Sequence, residues 1–432
     1  MSAAGGSAAS IARRAASPAR APTFTWSALI PVIRLSQKAE SFTESVIREM
    51  TRLNLALHGP ERAINFAQGF PDFDPDPRIL DAASRALRAG FNQYATTWGA
   101  PQLRHAIARK QSAAWGRDVD ADTEITVSCG ATEAMIAAML AAVDPGDEVV
   151  VFEPFYENYG PDCVLSGAVP RYVALRPPER ASATRMGPTD CWSIDLDQLT
   201  ASFNDRTRAI VINTPHNPTG KVYSKAELEF IAQLCIEHDA IAITDEIYEH
   251  LVYRGRHVSM ATLPGMAERT ITISGASKTY SVTGWRVGWL IAPAPLTAGI
   301  RKVHDFLTVG AAHPLQIAVS EALAFPASFY VELLGDYQER RDALVSGLQE
   351  CGFEATAPDG AYYVMAGISR FGATDDVVFA RRLIEEVAVA TVPASSFYHD
   401  PVLGRNHVRF SFPKRIGTIE RGLAALRSLP SP

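Results

Sequence analysis

The sequence predicts an α/β protein: a large domain with a mostly parallel seven-stranded sheet covered by helices, plus a smaller α+β domain. Three observations carry this expectation. Between residues 90 and 310, short apolar runs alternate with helical stretches, and strand–helix alternation implies parallel strands joined by right-handed crossovers. Several of those runs lack polar alternation, as expected of strands covered on both faces. After residue 313 the texture changes to a long helical stretch and then isolated strand-like segments.

The elements follow in chain order. Residues 1–39 contain no Asp or Glu and are rich in Ala, Ser and Arg, a composition shared by organelle transit peptides and by disordered extensions. Residues 40–75 precede the first large-domain strand and are expected to join the small domain. The large domain is assigned residues 76–312, with strands at 124–129 (EITVSC), 148–152 (EVVVF), 170–175, 208–213 (RAIVIN), 240–244 (AIAIT), 270–274 (TITIS) and 286–291 (RVGWLI). Helices are expected at 131–143 and 224–238. The second opens with Ser224 and Glu227, a capping-box pair, and places Leu228, Ile231 and Cys235 along one stripe. The Pro-rich stretch 176–192 reads as a surface loop. The small domain takes residues 313–432: a long helical stretch at 314–350, strand-like segments at 361–366 and 407–412, and a closing helix at 416–428.

Composition narrows the function classes. With 432 residues, 47% hydrophobic, the chain has ample material for a large core. Lys and Arg number 41 against 47 Asp and Glu, so the charge of −6 offers no face for a nucleic acid. No run approaches the roughly eighteen apolar residues that a membrane span needs, so no membrane partner is expected. Five cysteines without CxxC spacing fit reduced thiols in a cytoplasmic protein better than disulfides or a metal site.

In an open α/β sheet, ligands sit beyond the carboxyl ends of the strands. Four unusual sets of residues fall there. Asp245 follows AIAIT, and Asn213 and Asn217 lie in NTPHNPTG after RAIVIN. Gly130, Ala131 and Thr132 open a helix after EITVSC, and Lys278 follows TITIS. An uncharged lysine amine is a nucleophile that condenses with carbonyls, and burial beside a cation such as Arg286 favours the uncharged form. A carboxylate at the end of a buried strand needs a partner, and a protonated pyridine nitrogen is one such partner. Free N–H groups at a helix start favour an anion such as phosphate, and Arg286 adds a fork-shaped cation. Taken singly, each of these residues has a plainer role: a solvated lysine, a helix cap, a turn amide, a surface ion pair. Taken together, they suit a phosphorylated, electron-withdrawing cofactor.

The segment SGASKTYSVTGWRVGW, residues 274–289, resembles the lysine signature of the fold-type I, pyridoxal-phosphate-dependent aminotransferases of class I/II. NTPHNPTG, TDEIYEHLVY and AQGFPDF match that family in the same order, and the resemblance spans residues 40–428. Through AQGFPDFDPDP and EPFYENY the chain is similar to the kynurenine, glutamine and methionine aminotransferase group. The resemblance implies pyridoxal 5'-phosphate as cofactor and a ping-pong transfer of an amino group from an L-amino acid to a 2-oxo acid. It makes Lys278 the Schiff-base lysine and proton shuttle, Asp245 the partner of the pyridine nitrogen, and Asn217 and Tyr248 contacts of the ring oxygen. Ala131, Thr132 and Arg286 hold the phosphate, and Tyr156 stacks on the ring. Arg409 in HVRFSF binds the substrate carboxylate, and Gly69 lines the substrate pocket. Tyr94 reaches the phosphate of a neighbouring subunit, which implies a homodimer. Where the family often has a phosphate-binding serine, three residues before the lysine, this chain has Gly275. Ser274 and Ser277 flank that position, and Ser277 is taken as the candidate.

Aromatic residues expected near the pocket (Phe70, Tyr156, Phe306, Tyr363 and Phe397) lean towards an apolar or aromatic donor, with Met and Gln also compatible. Two other outcomes use nearly the same residues: a cysteine-conjugate β-lyase and an aminocyclopropane-carboxylate synthase-like enzyme. A cofactor-binding transcriptional regulator would need an N-terminal DNA-binding domain, for which residues 1–40 are too short and unpatterned.

Overall fold

The structure, a computed structural model, describes residues 34–178, 185–186 and 191–429. Residues Met1–Glu40 form one unit, whose described part holds the short helix Gln37–Glu40; Ser41–Pro432 form a second, compact unit. The expectations for residues 1–33, and for most of the loop at 176–192, lie outside the described residues.

Seven strands build the large sheet: β1 (Ile125–Ser128), β2 (Glu148–Glu153), β3 (Val169–Ala174), β4 (Thr207–Asn213), β5 (Ile241–Asp245), β6 (Thr270–Gly275) and β7 (Gly288–Ile291). Their order across the sheet is β1-β7-β6-β5-β4-β2-β3. Only β7 runs against its neighbours β1 and β6, and the other pairs are parallel. The predicted seven strands are all present, within about two residues at each end.

Along β4, alternate residues face opposite cores. Ile210 and Ile212 pack into one cluster with Phe152 and Tyr223, and Ala209 and Val211 into another with Met139 and Ile300. All are buried, which is why the strand reads as one unbroken apolar run. Truncating such a side chain, as in Ile212→Ala, costs roughly 2–5 kcal/mol.

The helix predicted at 224–238 spans Lys225–Glu237. Both halves of its capping box form, with the Ser224 hydroxyl accepting from the Glu227 N–H and the Glu227 carboxylate accepting from the Ser224 N–H. Leu228, Ile231 and Cys235 are fully buried along it. The single stretch expected at 314–350 is instead two helices, His313–Ala322 and Ala327–Glu350, bent by 94°. Pro326 caps the second helix and cannot continue the first, because it has no N–H to donate. No single helix among the described residues is long and apolar enough to cross a membrane.

A second sheet has four strands, β8 (Glu354–Ala355), β9 (Tyr363–Gly367), β10 (Val392–Pro393) and β11 (His407–Ser411), in the order β8-β9-β11-β10. All its neighbouring pairs are antiparallel. Far upstream, Ile64–Asn65 pair in parallel with Val389–Ala390. The Asn54 side-chain amide bridges the carbonyls of Ile64 and Ala388, both at 3.0 Å, and ties the helix Val46–Arg62 to that pairing.

Candidate active site

The carboxyl ends of β4, β5 and β6 stop side by side. Asn213 is in register with Asp245, and Asp245 with Ile273. Just beyond them lies a cavity of about 100 Å3, lined by Ala131, Thr132, Tyr156, Asn217, Asp245, Tyr248, Ser277, Lys278 and Arg286. With Asn213 and Tyr363, eleven residues singled out from the sequence therefore meet around one space. Met135, Asn158, Tyr159 and Ile247 complete the wall.

Lys278 sits in the short helix Ala276–Thr279 directly after β6. Its Nζ lies 3.4 Å from the Gly69 carbonyl oxygen. Burial, reinforced by the positive charge of Arg286, lowers its pKa to about 8 from 10.5, with Asp245 pulling the other way. A lysine in this state is about one-tenth uncharged at pH 7, far more than an ordinary lysine, and the uncharged form is the nucleophilic one.

Asp245 ends β5 and is buried. Burial raises its pKa, but the Tyr159 hydroxyl donates to Oδ2 at 2.8 Å and the Ile247 N–H to Oδ1 at 3.2 Å, and both favour the charged form. The carboxylate thus carries local caps and still faces the cavity. Tyr159 was not found from the sequence. Its ring meets that of Tyr156 edge to face at 5.7 Å.

Asn213 organises the neighbouring loop. Its amide donates to the Asp245 carbonyl at 2.9 Å, and its Oδ1 accepts from the Asn217 N–H at 2.7 Å. Asn217 Oδ1 in turn accepts from Arg409 Nη1 at 2.9 Å. Arg409, on β11, is 1% exposed and lies between the rings of Tyr363 and Phe397, at 4.4 and 4.7 Å. Its Nη2 donates to the Ala67 carbonyl at 2.7 Å, while its buried Nε has no partner among the described residues. A buried cation with an unused N–H is suited to a carboxylate.

At the opposite end, Gly130 precedes the helix Ala131–Ala142 with φ 83° and provides no side-chain cap. The first N–H groups of that helix are therefore open to an anion. Arg286 stands beside them, donating to Thr132 Oγ1 at 3.3 Å and to the Thr283 carbonyl at 3.1 Å. Its backbone is left-handed, φ 53°, so β7 starts at Gly288 rather than at the predicted residue 286. A Cβ on Gly130 would collide with the Arg286 guanidinium. Of the two serines, Ser274 donates to Glu249 at 3.2 Å, whereas Ser277 lines the cavity.

On the far wall, the Tyr248 and Tyr363 hydroxyls are 2.9 Å apart, and the Tyr362 hydroxyl donates to the Gly69 carbonyl at 2.6 Å. A Cβ on Gly69 would strike Tyr363 Oη, so the backbone there approaches as only glycine permits. Gly69, Phe70, Phe397 and Arg409 are outside the cavity's lining, with Gly69 and Arg409 reaching it through Lys278 and Asn217. Two further expected residues lie at the surface. Tyr94 is 85% exposed and Phe306 is 93% exposed, and neither lines the cavity of its own chain. Phe306 lies near the end of the helix Ala294–Leu307, on a face that the chain leaves uncovered.

The family model described as Aminotransferase class I and II matches residues 61–426. A probable N-succinyldiaminopimelate aminotransferase of Mycobacterium tuberculosis is 40% identical over 398 residues, covering 90% of this chain and 96% of its own. The solved structure of N-succinyldiaminopimelate aminotransferase from that organism superposes with a TM-score of 0.86 at 39% identity, covering 92% of this chain and all of its own. The methionine aminotransferase of Escherichia coli is 37% identical, covering 87% of this chain and 94% of its own. Human kynurenine–oxoglutarate transaminase 1 is 37% identical, covering 83% and 90%. The chain belongs to the aminotransferases of class I and II.

Proposed function

We propose that this chain binds pyridoxal 5'-phosphate in the cavity described above and uses it to move amino groups from an apolar or aromatic L-amino acid to a 2-oxo acid. The observation that carries this reading is the opposition of two groups across one small space. The amine of Lys278 has its pKa lowered to about 8, and the carboxylate of Asp245 is held by Tyr159. Lys278 would hold the cofactor through its aldehyde, and Asp245 through its pyridine nitrogen. Ala131, Thr132, Ser277 and Arg286 would hold the phosphate, Asn217 and Tyr248 the ring oxygen, and Tyr156 the ring face. Bound there, the cofactor supplies an electron sink that makes the donor's Cα–H acidic.

The chain's own groups do the rest. Arg409 receives the donor carboxylate through its free edge and keeps Asn217 in place. Lys278 Nζ, once its amine is free and uncharged, takes the α-proton and later returns it. The Asp245 carboxylate holds the compensating negative charge. Tyr248 and Tyr363, buried and hydrogen-bonded to each other, exclude water from that wall.

The rings of Tyr363 and Phe397 on either side of Arg409 support an apolar or aromatic donor. The relatives named for methionine and kynurenine support the same choice. The relative named for N-succinyldiaminopimelate favours a second reading, a long donor with further carboxylates beyond the one beside its amine. A screen separates them: each candidate donor is added to the holoenzyme, and the change in its visible absorbance is followed. Bleaching by methionine or aromatic donors fits the first reading, and bleaching by N-succinyldiaminopimelate alone fits the second. A flat response to every donor would contradict both.

The exposure of Tyr94, Phe306 and Leu307 supports a homodimer in which Tyr94 completes the phosphate site of the second copy. Sedimentation of the holoenzyme as a monomer at micromolar concentration would contradict this. The pairing of Ile64–Asn65 with Val389–Ala390 supports a division in which residues 40–75 join residues 313–432 in a small domain, apart from a cofactor-binding domain at 76–312.

A further inference from the structure

Five consecutive carbonyls, from Phe66 to Phe70, each accept a hydrogen bond from the segment 409–414 or from Tyr362. Phe66 O accepts from the Ser411 N–H at 2.8 Å, and Ala67 O from Arg409 at 2.7 Å. Gln68 O accepts from the Ser411 hydroxyl at 3.0 Å and from Lys414 Nζ at 3.3 Å. Gly69 O accepts from Tyr362 at 2.6 Å and also faces Lys278 Nζ. Phe70 O accepts from Lys414 Nζ at 2.8 Å. The two segments are closed further by Asp72 N–H to Pro413 O and by Arg415 N–H to Asp72 Oδ1.

Lys414 is the unusual member. It is 2% exposed, and among the described residues no carboxylate hydrogen-bonds to its ammonium, although the nearby Asp72 charge favours the protonated form. A buried cation is costly unless its donors are used, and a methionine of similar size would lie there at lower cost. The lysine spends its donors on two backbone carbonyls and places its charge 4.5 Å over the Phe70 ring. Gln68 O has two further donors, the Ser411 hydroxyl and the Phe70 N–H at 3.0 Å, but among the described residues Phe70 O accepts from Lys414 alone. Arg340 Nε holds the carbonyl of Lys414 itself at 3.0 Å, so the clamp is anchored from behind.

We propose that Lys414 is a positioning residue of the donor site: by holding the Gln68 and Phe70 carbonyls it fixes the Gly69–Phe70 turn beside the catalytic amine, and so sets which donor side chains fit. This rests on the aminotransferase reading for its effect on donors. The effect on the turn itself stands apart from that reading.

The test uses holoenzyme carrying Lys414→Met, with Lys414→Arg as the conservative variant and Lys414→Gln should the methionine variant not fold. Two readouts are taken. Hydrogen exchange of the peptide covering residues 67–72 should quicken about tenfold in Lys414→Met, the loss expected for one charge-assisted hydrogen bond, while exchange in β5 stays unchanged. In donor half-reactions, KM should rise about tenfold for bulky aromatic donors, with kcat changed less than about threefold and the ranking of large over small donors compressed. Lys414→Arg should restore most of that ranking. Unchanged exchange at 67–72 together with an unchanged donor ranking overturns the proposal. Quickened exchange in a protein whose parent processes no donor sinks the aminotransferase reading and leaves the clamp standing.

Discussion

Tyr159 donates its hydroxyl to Asp245 Oδ2 at 2.8 Å, and the two come from separate elements, the helix Tyr159–Ser166 and the end of β5. Without that bond, burial would push the carboxyl further towards its neutral form. Tyr159→Phe removes only the hydroxyl. The expected result is a loss of about 1.5–3 kcal/mol of transition-state stabilisation, seen mainly in kcat, together with a loss of about 1–3 kcal/mol of stability in the cofactor-free protein, where a buried acceptor loses its donor. Steady-state kinetics with the best donor from the screen check this.

The Lys278 amine should titrate near pH 8 in the cofactor-free protein. Its reaction with pyridoxal, which lacks the phosphate, should quicken as pH rises through that value and level off above it. Arg286→Gln removes a like charge, so the midpoint should move up. The stability sign follows from linkage. Between pH 8 and 10.5 the unfolded lysine holds a proton that the folded one has released, so stability rises with pH across that window. Lys414, also lowered to about 8 by burial, acts in the same direction. Lys278→Met should flatten part of the rise in chemical denaturation measured across that range.

Gly130→Ala places a methyl group against the Arg286 guanidinium at a φ of 83°. The backbone strain alone should cost about 1 kcal/mol or more. Displacement of Arg286 should weaken cofactor binding about tenfold beyond that, the value of one charge-assisted contact. Fluorescence titration of the cofactor-free variant measures the affinity, and thermal unfolding measures the strain.

Ser224→Ala should behave in the opposite way. It breaks the capping box of the helix Lys225–Glu237 and should lower stability by about 1 kcal/mol. The residue is outside the cavity wall, so kcat and KM should be unchanged.

The large sheet was legible in the sequence because its strands are buried on both faces and carry their own signal in unbroken apolar runs. Asp245, Asn217 and Lys278 were legible because polar residues follow those runs directly. The bend at Leu323–Pro326 was missed because the apolar pattern continues through it, although Pro326 was a sufficient sign. Tyr159 and Tyr362 were missed for a different reason. Each ring reads as core, and its function lies in a hydroxyl whose partner is 86 or 293 residues away. The roles of Arg409 and Lys414 were partly hidden for the same reason. Their targets are backbone carbonyls around Gly69, which leave no trace in side-chain chemistry.

The central claim is that one amine carries the cofactor. Protein reconstituted with pyridoxal 5'-phosphate and treated with borohydride should yield a single pyridoxyl-bearing peptide in mass spectrometry, modified at Lys278. No modified peptide, or modification at another lysine with Lys278 untouched, would contradict the account.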